Sequence, residues 1–347
     1  MRILAISVII CFCLISPVSA FDILQPLPEI PITPSDNPTT KEKVELGKQL
    51  YFDTRLSQDN TLSCNSCHNL ASGGDDDGGA AKLPGRKIHR SAPSIYNAAY
   101  QTVQFWDGRA KSVEEAIADH LFDADIMGNK SSRLVEDKFS KIPGYAKGFS
   151  GSFKESKPIS IKNITKAISA FLRTLKTPNA PFDNYIRGNK KAISPSAIRG
   201  IERFNEIGCL SCHFGINLAG PAPGPAFGMG TGFYELFPNY LGSEYDEKYD
   251  LAKDVGRFLV TGEKIHLFMW RVPPLRNIAL TAPYFHNGSV NTLEEAIRVM
   301  GKTQLGKTLN DQDVKDIKAF LLTLTGDMPD ITLPRLPDTE GKHIELN

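Results

Sequence analysis

Cys64-Asn65-Ser66-Cys67-His68 and Cys209-Leu210-Ser211-Cys212-His213 are two copies of one pattern, C-x-x-C-H, beginning 145 positions apart. Two thiols three positions apart on one turn can each add to a haem vinyl group. The histidine that follows then lies under the ring, where an imidazole nitrogen reaches the iron as proximal ligand. Three other uses of such cysteines fit less well. Two disulfides would suit an exported chain, but C-x-x-C disulfides close loops too small to stabilise much and leave both histidines unexplained. Zinc ribbons also use two C-x-x-C pairs, at far shorter separation. A thioredoxin-like redox motif needs a βαβ setting, which the pattern of this chain lacks. The reading is a c-type cytochrome with two covalently bound haem c groups.

Working outward, the other two cysteines, Cys11 and Cys13, belong to the N-terminus. Arg2, the apolar stretch at 3–16 and Val18-Ser19-Ala20 have the form of an export signal cleaved after residue 20. Fourteen apolar residues are too few to span a bilayer. The mature chain would then begin at residue 21 in the periplasm and keep only the four motif cysteines. Of the 347 residues, 41 % are hydrophobic and 23 % charged, the balance of a globular protein. No later apolar run approaches 20 residues, so no membrane span is expected. Forty basic against 39 acidic residues create no field for nucleic acid.

The rest of the chain reads as mainly α, with two cytochrome c-like haem domains in tandem and long loops. Residues 21–39 form a Pro-rich arm, 40–190 the N-terminal domain, 191–330 the C-terminal domain and 331–347 a tail. Helices are expected over 41–51, 112–118, 161–175, 194–207, 292–300 and 311–324, from apolar periodicity and caps such as Ser194-Pro195 and Asn310. Pro178 and Pro181 are read as stops. The loop at 72–85, with Asp75, Asp76 and Asp77, lacks the spacing of an EF-hand and reads as solvated. An internal repeat relates Phe105-Trp106-Asp107-Gly108 to Phe285-His286-Asn287-Gly288. It continues through Ser112-Val113-Glu114-Glu115 and Thr292-Leu293-Glu294-Glu295, and pairs Met127-Gly128 with Met300-Gly301.

These segments carry a specific resemblance. Phe52-Asp53, Arg55-Leu56-Ser57, Phe105-Trp106-Asp107-Gly108-Arg109-Ala110, Arg173-Thr174-Leu175, Pro181-Phe182-Asp183, Leu275-Arg276-Asn277 and Pro283-Tyr284-Phe285-His286-Asn287-Gly288 resemble the bacterial di-haem cytochrome c peroxidase family, which includes MauG-like enzymes. The resemblance covers residues 40–327. It implies a peroxidatic haem on Cys64, Cys67 and His68, and an electron-transfer haem on Cys209, Cys212 and His213 with Met300 as sixth ligand. A thioether opposite histidine favours the ferrous state and raises the potential. MauG-like members carry tyrosine at that position, so Met300 points to the peroxidase branch. Trp106 matches the tryptophan that carries electrons between the haems, and Met127 would pack on the first haem without ligating. A calcium ion between the domains would involve Thr281 and Pro283, with Ser91 standing in place of an asparagine. His286 would make a structural hydrogen bond.

Two positions depart from the family. Its proton-transferring glutamate is Ile126 here, and its distal histidine falls near Leu83. His89 and Asp125 are the nearest substitutes, with Asp123 and His120 behind them. The resemblance implies reduction of hydrogen peroxide to water with electrons from a small soluble donor, a cytochrome c or a cupredoxin, and a homodimer. The other readings are a MauG-like oxidase of a protein or organic substrate and a non-catalytic di-haem electron carrier.

Overall fold

Helices begin where the sequence supplies a capping side chain. Thr40, Ser112, Ser160, Ser194, Thr292 and Asn310 each accept a backbone N–H from the first turn that follows, which satisfies a donor the helix itself cannot. The computed structural model describes residues 23–76, 88–223 and 227–339; the stretch read as an export signal, Asp77 and Leu83 lie outside them. In chain order the helices are α1 (Lys41–Phe52), α2 (Val113–Phe122), α3 (Ser132–Ser140), α4 (Pro143–Ser152), α5 (Ile161–Leu172), α6 (Pro181–Ile186), α7 (Pro195–Ile207), α8 (Glu244–Tyr249), α9 (Phe258–Thr261), α10 (Leu293–Leu305) and α11 (Asp311–Leu322). Sheet among the described residues is one antiparallel pair, β1 (Tyr234–Leu236) with β2 (Met269–Arg271), in which Glu235 faces Trp270. The molecule is helix-rich with little sheet, as the periodicity indicates.

Apolar burial gathers into two large clusters. One is built from residues between Leu46 and Leu175, the other from Leu24 and residues between Phe182 and Leu324. In each, an early helix crosses a late one at a glycine. A methyl group on Gly47 of α1 would stand 1.9 Å from the Ala167 carbonyl of α5, and one on Gly200 of α7 would stand 2.0 Å from the Asp316 carbonyl of α11. Alanine favours helix by about 1 kcal/mol over glycine, but overpacking costs roughly 1–3 kcal/mol. The obstacle here is backbone, which cannot swing aside, so the clash wins. Gly200→Ala is expected to lower the denaturation midpoint; an unchanged or raised midpoint would show that the crossing has slack.

The internal repeat is visible in the backbone. Asn97 and Asn277 (φ 62° and 60°), Phe105 and Phe285 (φ 69° and 70°), and Gly108 and Gly288 (φ 65° and 60°) adopt matching left-handed conformations. Isolated bridges join Gln104 to Ala110 and Tyr284 to Val290. All these pairs share one register, and α2 and α10 follow it from equivalent caps, Ser112 and Thr292. That register sets Met300 opposite His120. Met127 lies beyond the end of α2, so the Met-Gly pairing read from sequence is a local likeness outside the helical register.

Two further readings need correction, and a third gains detail. Pro181 opens α6 at its first turn, because proline's missing N–H costs nothing there. The described start of the acidic loop is not solvated: Asp75 is buried, and Asp76 accepts from the Ala92 N–H at 3.2 Å and the Ser91 hydroxyl at 3.3 Å. The Pro-rich arm is extended but pinned, since Leu24 bridges Gly215, the Leu27 N–H donates to Asp183, and Tyr100 Oη donates to the Pro28 carbonyl at 2.7 Å. The short helices α3, α4, α8 and α9 were not expected from periodicity.

Candidate functional site

Each C-x-x-C-H segment folds as a tight turn, Cys64–Ser66 and Cys209–Ser211 being 3-10 helices, and each turn closes one side of a cavity. Cys64, Cys67 and His68 line a cavity of about 700 Å³. Cys209, Cys212 and His213 line a second of about 240 Å³. Among the described residues the four motif cysteines form no disulfide, and the two pairs face separate spaces, so they do not close one four-cysteine zinc site. Burial pushes the Cys64 and Cys209 thiols up to about 12.

The histidines are held in one tautomer. His68 Nδ1 lies 3.1 Å from the Pro93 carbonyl, and His213 Nδ1 lies 2.9 Å from the Leu218 carbonyl. A carbonyl only accepts, so Nδ1 must carry the proton and Nε2 keeps its lone pair for a metal. The low-dielectric surroundings push both imidazoles below their usual range and keep them neutral.

Arg271 tests whether haem suits these cavities. It is buried and donates to the Phe105 carbonyl at 2.8 Å and the Val272 carbonyl at 3.4 Å, yet among the described residues no carboxylate pairs with it. Burial pushes its guanidinium down to about 10. An uncompensated buried cation is costly. Arg271 lines both cavities, and the propionates of a haem would supply the missing counter-charge. His286 Nε2, facing the second cavity, is likewise buried without a partner among the described residues. The residues present therefore fit a haem in each space.

Between the cavities runs a thin wall. Ser91, Ala92, Pro93, Ser94, Trp106 and Arg271 line both. Trp106 is fixed by its Nε1–H donating to the Ser91 carbonyl at 2.8 Å, while its own carbonyl accepts from the Arg271 N–H at 2.9 Å.

The other expected residues divide. Met300, on α10, lines the second cavity with Cys209, Cys212 and His213. Ser91, Thr281 and Pro283 share a wall of that cavity with Asp75. His89 and Asp125 line the first cavity but are exposed, so they sit at its rim. Ile126 is half-buried and faces the same space. The His286 side chain is not hydrogen-bonded as expected: its ring stacks on Trp270 with centres 4.3 Å apart, and only its carbonyl is engaged, by the Ser91 N–H. His120 is far more central than its rank in the sequence reading. Its ring centre lies 6.0 Å from that of His68, and Phe105 packs edge-on against it at 5.0 Å. Burial, reinforced by His68 and Arg109, pushes it down to about 3. Fifty-two positions of chain separate the two imidazoles, so no local spacing signals their meeting; the 180-residue register of the repeat could have done so.

A family model described as di-haem cytochrome c peroxidase matches residues 41–191, and one described as RoxA-like, cytochrome c-like matches residues 270–301. The chain is 39 % identical over 317 residues to cytochrome c551 peroxidase of Pseudomonas aeruginosa, covering 91 % of this chain and 88 % of that one. It is 31 % identical to the methylamine utilization protein MauG of Methylorubrum extorquens, over 89 % and 86 % of the two chains. Among solved structures, a MauG-like protein associated with microbial copper homeostasis superposes with a TM-score of 0.73 at 30 % identity, over 86 % of this chain and 95 % of the other. With two cavities that each present a C-x-x-C-H turn, and with this extent of identity, the chain belongs to the di-haem cytochrome c peroxidase family.

Proposed function

We propose that the protein is an exported, periplasmic di-haem peroxidase that reduces hydrogen peroxide to two waters, consuming two electrons and two protons per turnover. The electrons come one at a time from a small soluble donor, a cytochrome c or a cupredoxin. Bound haem supplies the redox-active iron on which peroxide is cleaved. Cys64 and Cys67 would tether one haem and Cys209 and Cys212 the other, with His68 and His213 as proximal ligands and Met300 completing the second centre. A thioether there holds the iron at higher potential, which suits the site that receives electrons first.

The observation that carries this reading is the shared wall. Trp106 and Arg271 both face the two cavities. An aromatic ring held between the spaces, beside a cation that would neutralise haem propionates, would give electrons a route that does not leave the protein interior. His89 and Asp125, at the rim of the first cavity, would hand protons in from solvent. Ser91, Thr281 and Pro283 would contribute oxygens to a calcium ion beside the second cavity. Among the described residues no helix is long and apolar enough to cross a membrane.

The test is peroxide-dependent oxidation of a reduced donor by the haem-loaded protein, compared with Trp106→Phe and with His89→Gln/Asp125→Asn. The wild type is expected to turn over. Trp106→Phe should slow reoxidation of the second centre after peroxide addition while leaving haem content intact. The rim variant should lose about 100-fold in kcat/KM for peroxide, the low end of general acid–base contributions. Absence of turnover with any reduced donor would sink the peroxidase reading and leave an electron carrier.

A further inference from the structure

The turn that carries Trp106 belongs to the first half of the chain, yet the second half holds it. The carbonyls of Phe105 and Trp106 accept from Arg271, through its Nε at 2.8 Å and its backbone N–H at 2.9 Å. The next two accept from Arg257 and Tyr234: Asp107 from Arg257 Nη1 at 2.8 Å, and Gly108 from the Tyr234 hydroxyl at 3.1 Å. A methyl group on Gly108 would stand 2.4 Å from that hydroxyl oxygen, so glycine lets the tyrosine approach. Four consecutive carbonyls thus take donors from across the junction, and they fix where the indole sits.

The wall on the other side of the indole is joined to this turn by Arg90. Its side chain is 17 % exposed and lines the first cavity. Two carboxylates share its guanidinium. Nη1 donates to Asp107 in the Trp106 turn, while Nε and Nη2 grip the two oxygens of Asp254, in the second half, at 2.7 and 2.9 Å. Ser91, the next residue, repeats the pattern: its carbonyl accepts the Trp106 Nε1–H at 2.8 Å, and its N–H donates to the His286 carbonyl at 2.7 Å. Two positions further on, the Pro93 carbonyl orients His68. One planar fork therefore links the wall, the Trp106 turn and the second half, a task for which a lysine ammonium lacks the geometry. Each acid has one more partner, Arg109 on Asp107 at 3.1 Å and the Gly256 N–H on Asp254 at 2.8 Å. Both of those lie two positions along the same segment and bridge nothing. With Arg90 removed, two carboxylates are left across one small space, and like charges push apart.

We propose that Arg90 is a positioning residue for electron transfer between the two centres, acting through Trp106. This rests on the reading that each cavity holds a haem and that Trp106 carries electrons between them. In that step one electron leaves the second centre and arrives at the first, and no bond is made or broken. Its rate is set by geometry, and Arg90 holds the three segments that define the geometry.

The experiment starts from haem-loaded protein in which only the second centre has been reduced. It is mixed rapidly with hydrogen peroxide, and the visible spectrum separates reaction at the first centre from reoxidation of the second; haem is counted by pyridine haemochrome. Arg90→Gln is expected to keep two haems and the peroxide step, and to slow reoxidation of the second centre by about 100-fold, the penalty of a misplacement near 1 Å. Arg90→Lys should fall between this and the wild type. Asp254→Ala, which frees the same guanidinium from the second half, should slow the same step. Adding Arg90→Gln to Trp106→Phe should slow it no further, since both act through the indole. Reoxidation at the wild-type rate in Arg90→Gln, a loss confined to the peroxide step, or a further loss in the double variant overturns the proposal. If Arg90→Gln fails to fold, Arg90→Lys and Asp254→Ala decide by the same criterion. A wild type that holds fewer than two haems, or whose second centre peroxide does not reoxidise, overturns the peroxidase reading itself, which separates that failure from this one.

Discussion

Replacing both Cys209 and Cys212 by serine is expected to leave the protein with one covalently bound haem in place of two and to abolish peroxide-dependent oxidation of a reduced donor. Serine hydroxyls do not add to vinyl groups, so the second centre loses its tether. His213 and Met300 remain, and on the proposed ligation those two side chains alone would have to retain the group. The first cavity keeps Cys64, Cys67 and His68, which face a separate space, so its haem should survive. The measurement is a haemochrome count alongside turnover. Activity retained at one haem per chain would mean that electrons enter the first centre directly and that the second is dispensable.

Asp183→Ala should produce a large loss of stability. Asp183 and Arg276 are both buried, joined by bonds of 2.8 and 3.1 Å between the guanidinium and the two carboxylate oxygens. The carboxylate also accepts the Leu27 N–H, and the guanidinium also donates to the Gln25 and Ile216 carbonyls. Removing one partner leaves the other charge buried and unpaired, at a cost of about 3–5 kcal/mol. For a chain of this size that corresponds to a fall in Tm of about 4–7 °C. Arg276→Met should cost a similar amount, and the double variant should cost much less than the sum, because the stranded charge is gone. Strictly additive losses would show that the two groups act separately.

Much of this was legible because it is local. Covalent haem attachment needs its residues within five positions, and Cys64 to His68 and Cys209 to His213 supply them. Helix starts are equally local, and Ser194-Pro195 and Asn310 cap where their types predict. What escaped depends on partners distant in sequence. His120 gains its meaning only beside His68. Arg271 reads as one more basic residue until its burial is known, and Asp75 reads as part of a polar run although it packs inside. Pro181 shows a further limit, since the same residue type ends one helix and begins another, and only the chain on either side decides. Likewise, Met127-Gly128 copies Met300-Gly301 in letters, whereas the backbone conformations at Asn97 and Asn277 set the true correspondence.

The wall built from Ser91, Ala92, Pro93, Ser94, Trp106 and Arg271 has a consequence for biogenesis. One short backbone segment supplies a surface to two porphyrins at once, and the Pro93 carbonyl that orients His68 belongs to it. Seating either cofactor would therefore fix one wall of the other's cavity, while each pair of cysteines tethers its own group independently.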